Sequence, residues 1–170
     1  MRPLSMLQLN ALDRSAFISQ VGWVYENSTW VAEGAWNDRP FRAIDDLHAA
    51  MEKVVHSAPP QKQLALIQAH PDLAGRLSAA SELTAASKRE QADAGLNQLT
   101  PDEAKWMERN NALYREKFGF PFILCARLNN ARTILEAFSK RLENNRPEEI
   151  DVALAEISKI ARLRLADAIS

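Results

Sequence analysis

Apolar residues along the chain recur at spacings of three and four, which is the period of an amphipathic α-helix. The clearest stripe consists of Phe41, Ile44, Leu47, Met51, Val54 and Val55. Asn37 and Asp38 precede this stripe as candidate helix caps, and Pro59-Pro60 ends it. A shorter pattern from Leu64 predicts a helix that ends at His70, because a residue before proline is driven out of the α region.

Start and stop signals define the helices of the second half of the chain. Thr100-Pro101-Asp102-Glu103 combines a threonine cap, a proline at the first helical position and a glutamate at the third. We expect this helix to end at Gly119, since glycine commonly terminates helices. Asn129 or Asn130 is placed to cap the next helix, and Pro147-Glu148-Glu149 opens the last one.

No segment shows the alternation of a half-buried strand. The one β-like run is Phe120-Pro121-Phe122-Ile123-Leu124-Cys125, and a central proline argues against a sheet strand there. We expect this run to enter the core as an extended segment. The pattern as a whole predicts one all-α domain over residues 1–170, with about seven or eight helices.

Composition and charge narrow the function classes. The chain has 170 residues, of which 46% are hydrophobic and 25% charged, and its formal net charge is −1. This balance gives no electrostatic case for binding nucleic acid or a membrane surface. No apolar run approaches the roughly 20 residues of a membrane span, and the N-terminus lacks the pattern of a signal peptide. With the single cysteine Cys125 neither an intrachain disulfide nor a thiolate metal cluster is possible, and we expect a cytoplasmic protein.

An arginine breaks the apolar pattern of the last helix. Its stripe consists of Ile150, Leu154, Ile157, Ala161, Arg164 and Ala168, whereas Arg162 lies away from it. A buried guanidinium is costly unless it is paired. Arg164 therefore either forms an internal ion pair with a glutamate, extends its charged end to the surface, or binds a planar anionic or urea-like partner.

Two further sites combine residues suited to acid–base chemistry. His70 at a helix end either complements the helix dipole or acts as an acid–base group, its ring held by Asp72 or a backbone carbonyl. If Thr84 caps the following helix, one face carries the residues Ser87, Glu90, Gln91 and Ala94. That face either lines a polar pocket or is a solvated capping box formed by Ser87 and Glu90.

The remaining candidates point to structural roles. His48 borders the apolar stripe and is predicted to be a satisfied histidine at the core edge, and His56 a surface residue. Cys125 is predicted to be a buried thiol rather than a nucleophile. The four tryptophans Trp23, Trp30, Trp36 and Trp106 suit core or interface anchors.

Several motifs occur in register along the chain. They are His70-Pro71-Asp72-Leu73-Ala74-Gly75-Arg76, Ser87-x-x-Glu90-Gln91-x-x-Ala94-Gly95-Leu96, the run Phe118-Gly119-Phe120-Pro121-Phe122-Ile123-Leu124-Cys125-Ala126-Arg127, Leu163-Arg164-Leu165 and, more loosely, Arg39-Pro40-Phe41. Together they resemble the 2-oxo-4-hydroxy-4-carboxy-5-ureidoimidazoline (OHCU) decarboxylases, from about residue 13 to the C-terminus. Leu124 stands where that pattern has isoleucine, and Asn130 where an acidic residue is common.

The resemblance implies a small, all-helical, homodimeric enzyme without a cofactor or metal. Its implied reaction is the loss of CO2 from OHCU to give (S)-allantoin, the last step of urate conversion. It makes His70 and Glu90 the acid–base pair. It implies that the substrate contacts are Pro71, Ser87, Gln91, Ile123, Leu124, Cys125, Ala126, Arg127 and Arg164.

Two other function classes compete with this interpretation. A non-catalytic helical module would use the tryptophans and Met51 as a partner groove, with His70, Glu90 and Arg164 lying apart. A metal-dependent hydrolase acting on a ureide would need three clustered ligands, whereas the sequence offers three scattered histidines.

Overall fold

The computed structural model describes residues 3–73 and 84–170, and within these ranges it contains nine α-helices and no β-strand. The helices are α1 (Met6–Ala11), α2 (Arg14–Val21), α3 (Trp30–Ala35), α4 (Ile44–His56), α5 (Pro60–Gln68), α6 (Ala85–Asp93), α7 (Pro101–Phe118), α8 (Ala131–Arg141) and α9 (Arg146–Ala168). The prediction of an all-α fold is confirmed. The count is close to the predicted seven or eight, and two of the nine helices, α1 and α3, have only six residues.

The predicted ends of the later helices are confirmed. In α7 the Thr100 hydroxyl accepts a hydrogen bond from the Glu103 amide, and the Glu103 side chain accepts one from the Thr100 amide. The helix ends at Gly119, whose φ of 79° suits glycine because no Cβ opposes it. Asn130, rather than Asn129, caps α8. These ends were predictable because each depends on residues within a few positions of the boundary.

The predicted start of α4 is wrong. Asn37 and Asp38 lie in a separate 3₁₀ turn, Trp36–Asp38, and α4 begins only at Ile44 without a side-chain cap. Asn10 explains the delay: its side-chain oxygen accepts from the Phe41 amide at 2.9 Å and its nitrogen donates to the Phe41 carbonyl at 2.7 Å. Because this contact satisfies the backbone of Phe41, that residue is held outside the helix.

The described residues divide into two compact units, and α9 contributes to both. The first comprises Met1–Ala69 with Ser158–Ser170. In its core the Phe17 ring packs at 5.3 Å from Trp36 and 6.3 Å from Phe41. A Cβ atom on Gly34 would lie 2.8 Å from the side chain of Val54, so α3 and α4 approach as closely as they do because this residue is glycine.

The second unit comprises His70–Ile157 and has an aromatic core. The Phe122 and Phe138 rings stack at 3.7 Å, and the Tyr114 ring meets Phe122 edge-on at 5.2 Å. Residues 121–125 are buried and form neither helix nor strand, and the backbone is extended at Cys125, in agreement with the prediction of an extended segment that enters the core. None of the helices in the described part of the chain is long and apolar enough to serve as a membrane span. The assignment of residues 1–170 to a single domain stays a prediction.

Candidate active site

Helix α6 turns a polar face toward the protein interior. The Thr84 hydroxyl accepts a hydrogen bond from the Ser87 amide at 3.2 Å, so Thr84 is the cap and Ser87 is the third helical residue. Ser87, Glu90 and Gln91 are then buried side by side, each at most 9% exposed. The prediction of one shared face is confirmed. The alternative, a solvated capping box formed by Ser87 and Glu90, is wrong because Thr84 already occupies the cap position.

Helix α5 ends at Gln68, within two residues of the end predicted at His70. His70 lies just beyond this helix end. It is 6% exposed and begins the irregular segment His70–Leu73 of the second unit. Of the two groups expected to orient its ring, the Asp72 carboxylate is engaged by Arg115, whose Nε lies 2.9 and 3.0 Å from the two carboxylate oxygens. The remaining motif residues Ala74-Gly75-Arg76 lie outside the described residues.

Side chains also hold the extended segment that the resemblance assigns to substrate binding. Arg141 donates to the Ile123 carbonyl and is itself paired with Glu149, which is fully buried. The Cys125 amide donates to the Glu156 carboxylate at 3.3 Å. Charged side chains of α8 and α9 therefore hold the backbone of this segment through hydrogen bonds.

Helix α6 packs against the turn Ala126–Leu128 that follows the extended segment. Burial raises the pKa of the Cys125 thiol, and the negative charges of Glu156 and Glu90 raise the pKa further. The prediction that Cys125 is a buried thiol is confirmed, and the raised pKa favours the protonated thiol over the nucleophilic thiolate. Glu90 on α6 therefore lies near the segment that contains Cys125. Within this segment the residues Ile123–Ala126 are buried, whereas Arg127 is exposed.

Sequence reasoning missed several of these polar groups. Asn111 and Arg115 are one turn apart on α7, and both contact the segment that begins at His70. Glu149 and Glu156 lie on the interior side of α9, with the fully buried Ala153 between them. Their spacing of i, i+4 and i+7 places Glu149, Ala153 and Glu156 on one helical face, and this pattern is the signal that could have indicated their burial.

Arg164 belongs to the first unit and lies on the buried face of α9, as predicted. Its Nη1 is 2.7 Å from a carboxylate oxygen of Glu26, and both side chains are 2% exposed. The predicted internal ion pair with a glutamate is therefore confirmed, and extension to the surface is wrong. Arg162 points outward and pairs with Asp45. The assignment of Arg164 as a substrate contact stays a prediction.

The other histidines have structural partners. The His48 Nε2 atom lies 3.0 Å from the Ser158 carbonyl oxygen, and exposed His56 contacts the Glu52 carbonyl. Both predictions are confirmed. Within residues 3–73 and 84–170 there is no group of three His, Cys, Asp or Glu side chains that could hold a metal ion.

The sequence profile of the OHCU decarboxylase family matches residues 10–166. A protein of Halalkalicoccus jeotgali named 2-oxo-4-hydroxy-4-carboxy-5-ureidoimidazoline decarboxylase is 42% identical over 167 residues, which are 98% of this chain and 93% of that protein. A protein of the same name from Haloferax volcanii is 41% identical over 170 residues, 100% of this chain and 99% of its own.

Among solved structures, the crystal structure of an (S)-allantoin synthase superposes with a TM-score of 0.81 at 30% identity. The match covers 99% of this chain and 54% of that one, so this chain spans about half the length of the solved protein. The profile and the full-length relatives agree with the motifs and with the all-helical fold. This chain belongs to the OHCU decarboxylase family.

Proposed function

We propose that the protein decarboxylates OHCU to (S)-allantoin and CO2, the last step in the conversion of urate to allantoin. The observation that carries the proposal is the buried polar face of α6, where Ser87, Glu90 and Gln91 lie in the same unit as buried His70. Such a face contributes little to stability. Its composition suits a small polar substrate, and relatives that match over nearly their whole length bear the decarboxylase name.

The substrate explains how the reaction proceeds without an external electron acceptor. One ring carbon of OHCU carries the hydroxyl and the carboxylate, and the neighbouring carbon carries the ureido group and a C=N bond. As the bond to the carboxylate breaks, its electron pair forms a C=C bond, and the displaced C=N pair takes a proton on nitrogen. The enol then loses its hydroxyl proton and gains a proton on the ureido-bearing carbon, so that one proton is consumed overall.

The enzyme's tasks are thus orientation, proton handling and stereocontrol. His70 interacts with the hydroxyl or the departing carboxylate, because an imidazole ring can accept a proton on one nitrogen and donate one from the other. Glu90 orients the ring and helps to move the proton. Addition of the proton to one face of the enol yields a single enantiomer.

The other assigned residues bind the substrate. Ser87 and Gln91 supply a hydroxyl and an amide from the α6 face, and Pro71 supplies an apolar surface beside His70. Backbone amides near Ile123 and Leu124 bind carbonyl oxygens of the substrate. Cys125, Ala126 and Arg127 continue this binding segment. What supports these roles is the packing of α6 against the turn Ala126–Leu128 and the fixed backbone that precedes it.

Three finer features are part of the proposal. The enzyme works without a cofactor, because the C=N bond of the substrate accepts the electrons that a cofactor otherwise would. It acts as a homodimer, in line with its family. It acts in the cytoplasm, consistent with its lone buried cysteine.

The test generates OHCU in place from urate, using a uricase and a hydroxyisourate hydrolase, and follows the circular dichroism of the allantoin that forms. Wild-type protein should accelerate an optically active signal well above spontaneous decay. We expect His70→Asn to abolish that acceleration, a loss of at least about 10²-fold for an acid–base group. The matched control is His56→Asn, an exposed histidine, which should keep wild-type activity. Decay no faster than the protein-free control would refute the proposed function, and an active His70→Asn variant would remove His70 from the mechanism.

A further inference from the structure

The short segment that carries His70 has no helix of its own to fix it. Residues 70–73 are irregular, and Pro71 lacks a backbone N–H group. Backbone polar groups in a buried segment need partners from elsewhere in the protein. Here Asn111 of α7 and Gln91 of α6 donate to backbone carbonyls of the segment, and Arg115 of α7 pairs with the side chain of Asp72.

Arg115 makes the strongest of these contacts. Its Nε lies 2.9 and 3.0 Å from the two oxygens of Asp72, whose side chain is only 6% exposed. A buried carboxylate is costly unless it is paired, so the guanidinium fixes where Asp72 can lie. Asp72 follows His70 by two residues, and its position therefore limits the backbone of His70.

Asn111 holds the next residue. It lies one turn before Arg115 on the same face of α7 and donates to the Leu73 carbonyl at 2.7 Å. Asn111 is 4% exposed, so this bond is shielded from water. A longer contact of 3.4 Å runs from the Gln91 amide to the Asp72 carbonyl. Helix α7 thus holds two consecutive residues just after His70.

We propose that Arg115 and Asn111 are positioning residues that set the place of His70 through Asp72 and Leu73. The proposal rests on the proposed function, since it assigns them to the geometry of that reaction. A displacement of about 1 Å at a reacting group can lower a rate by about 10²-fold, so loss of these contacts should act on turnover. The substrate contacts on α6 and in the extended segment remain in place.

The kinetic test compares Arg115→Met with Arg109→Met, which removes an exposed arginine from the same helix. We expect Arg115→Met to lower kcat by about 10- to 100-fold, with KM and the affinity for (S)-allantoin changed by less than about threefold. Arg115→Lys, which keeps the charge without the planar group, should fall in between. The double variant Asp72→Asn with Arg115→Met should have a kcat no lower than that of either single variant, because both substitutions remove the same contact. A kcat for Arg115→Met equal to that of Arg109→Met would overturn the proposal.

A second readout follows the histidine itself and needs no activity. With ¹⁵N-labelled histidine, the three side chains give separable ring signals, and His70→Asn assigns the one of interest. Arg115→Met and Asn111→Ser should shift or broaden the His70 signals and leave those of His48 and His56 unchanged. A purely structural role predicts instead a lower Tm with normal kcat per folded molecule and an unmoved His70 signal, which would refute the proposal.

The two tests separate the two claims. If the wild-type protein does not act on OHCU, the proposed function fails, and the ring signals still decide whether α7 positions His70. If Arg115→Met does not fold by circular dichroism, Arg115→Lys and Asn111→Ser carry the test with the same expected outcomes. Wild-type kinetics and an unmoved His70 signal in those two variants would overturn the inference.

Discussion

Helices α4 and α6 bury faces of opposite character. The interior face of α4 is apolar and consists of Leu47, Ala50, Met51 and Val55. The interior face of α6 is formed by Ser87, Glu90 and Gln91. Both faces are as inaccessible as a protein core. Burial therefore does not distinguish the two helices, whereas the chemistry of what is buried does.

This difference suggests separate roles for the two helices, stability for α4 and substrate chemistry for α6. Removing apolar surface from water stabilises a fold by about 25 cal/mol per Å², so the α4 face is a source of stability. Burying polar and ionisable groups costs free energy unless hydrogen bonds compensate it. A helix that carries three such groups inward gains little stability from them, which agrees with the proposal that they bind or act on the substrate. The following predictions test this division, from the largest effect to the smallest.

The largest effect is expected on α6. Glu90→Gln keeps the size of the side chain and removes its charge and its capacity to carry a proton. We expect activity to fall by about 10²- to 10⁴-fold, the usual contribution of a general acid or base. The free energy of unfolding should change by less than about 1 kcal/mol, because glutamine keeps the volume of the side chain and can still form hydrogen bonds.

The control for this prediction is Asp93→Asn, which alters an exposed carboxylate on the same helix. Steady-state rates and urea unfolding of both variants give the comparison. If Glu90→Gln were to lose several kcal/mol of stability while keeping its rate, the α6 face would be structural and the contrast with α4 would fail.

On α4 the expected effect is on stability. Met51 is fully buried, and Met51→Ala should lower the free energy of unfolding by about 2–5 kcal/mol, since it removes apolar contacts and leaves a cavity. Activity per folded molecule should be unchanged. Leu7→Ala is the matched control, because Leu7 is 81% exposed and its truncation should be nearly neutral. A large loss of turnover in folded Met51→Ala would contradict the assignment of α4 to stability alone.

The smallest effect compares two helix caps of the same unit. Thr84→Ala on α6 and Thr100→Ala on α7 each remove a threonine hydroxyl that accepts from the third helical amide, so each should cost about 1 kcal/mol. Only Thr84→Ala should also reduce activity, because the first turn of α6 carries Ser87. Thermal unfolding and rates measured side by side provide the check. Equal activity in the two variants would show that α6 tolerates fraying at this end.

Local signals explain which parts of the fold were predictable. The caps Thr84, Thr100 and Asn130 act on amides three residues away, so the sequence around them was sufficient. The start of α4 was not predictable, because the contact that delays it joins Asn10 to Phe41, 31 positions apart. Tertiary contacts of this kind override local preference.

The same distinction applies to the site. The inward face of α6 followed from helical spacing once Thr84 was taken as the cap. Pattern alone left the role of His70 open, and the acid–base role is what the resemblance implies. Arg115 was missed because its partner Asp72 is 43 positions away, and the pairing of Cys125 with Glu156 spans 31 positions. Nothing in the spacing of these residues indicates which distant group each one meets.

The anchoring of the extended segment has a consequence for how it tolerates substitution. Arg141 and Glu156 hold it through the carbonyl of Ile123 and the amide of Cys125, and every residue type other than proline offers both groups. A side chain that only fills buried volume can therefore be exchanged for another of the same volume without loss of these backbone contacts. Leu124, in place of the expected isoleucine, is a change of this kind. A substitution at Arg141 or Glu156 removes the anchor itself, so it should disturb the segment more than a volume-conserving exchange within the segment.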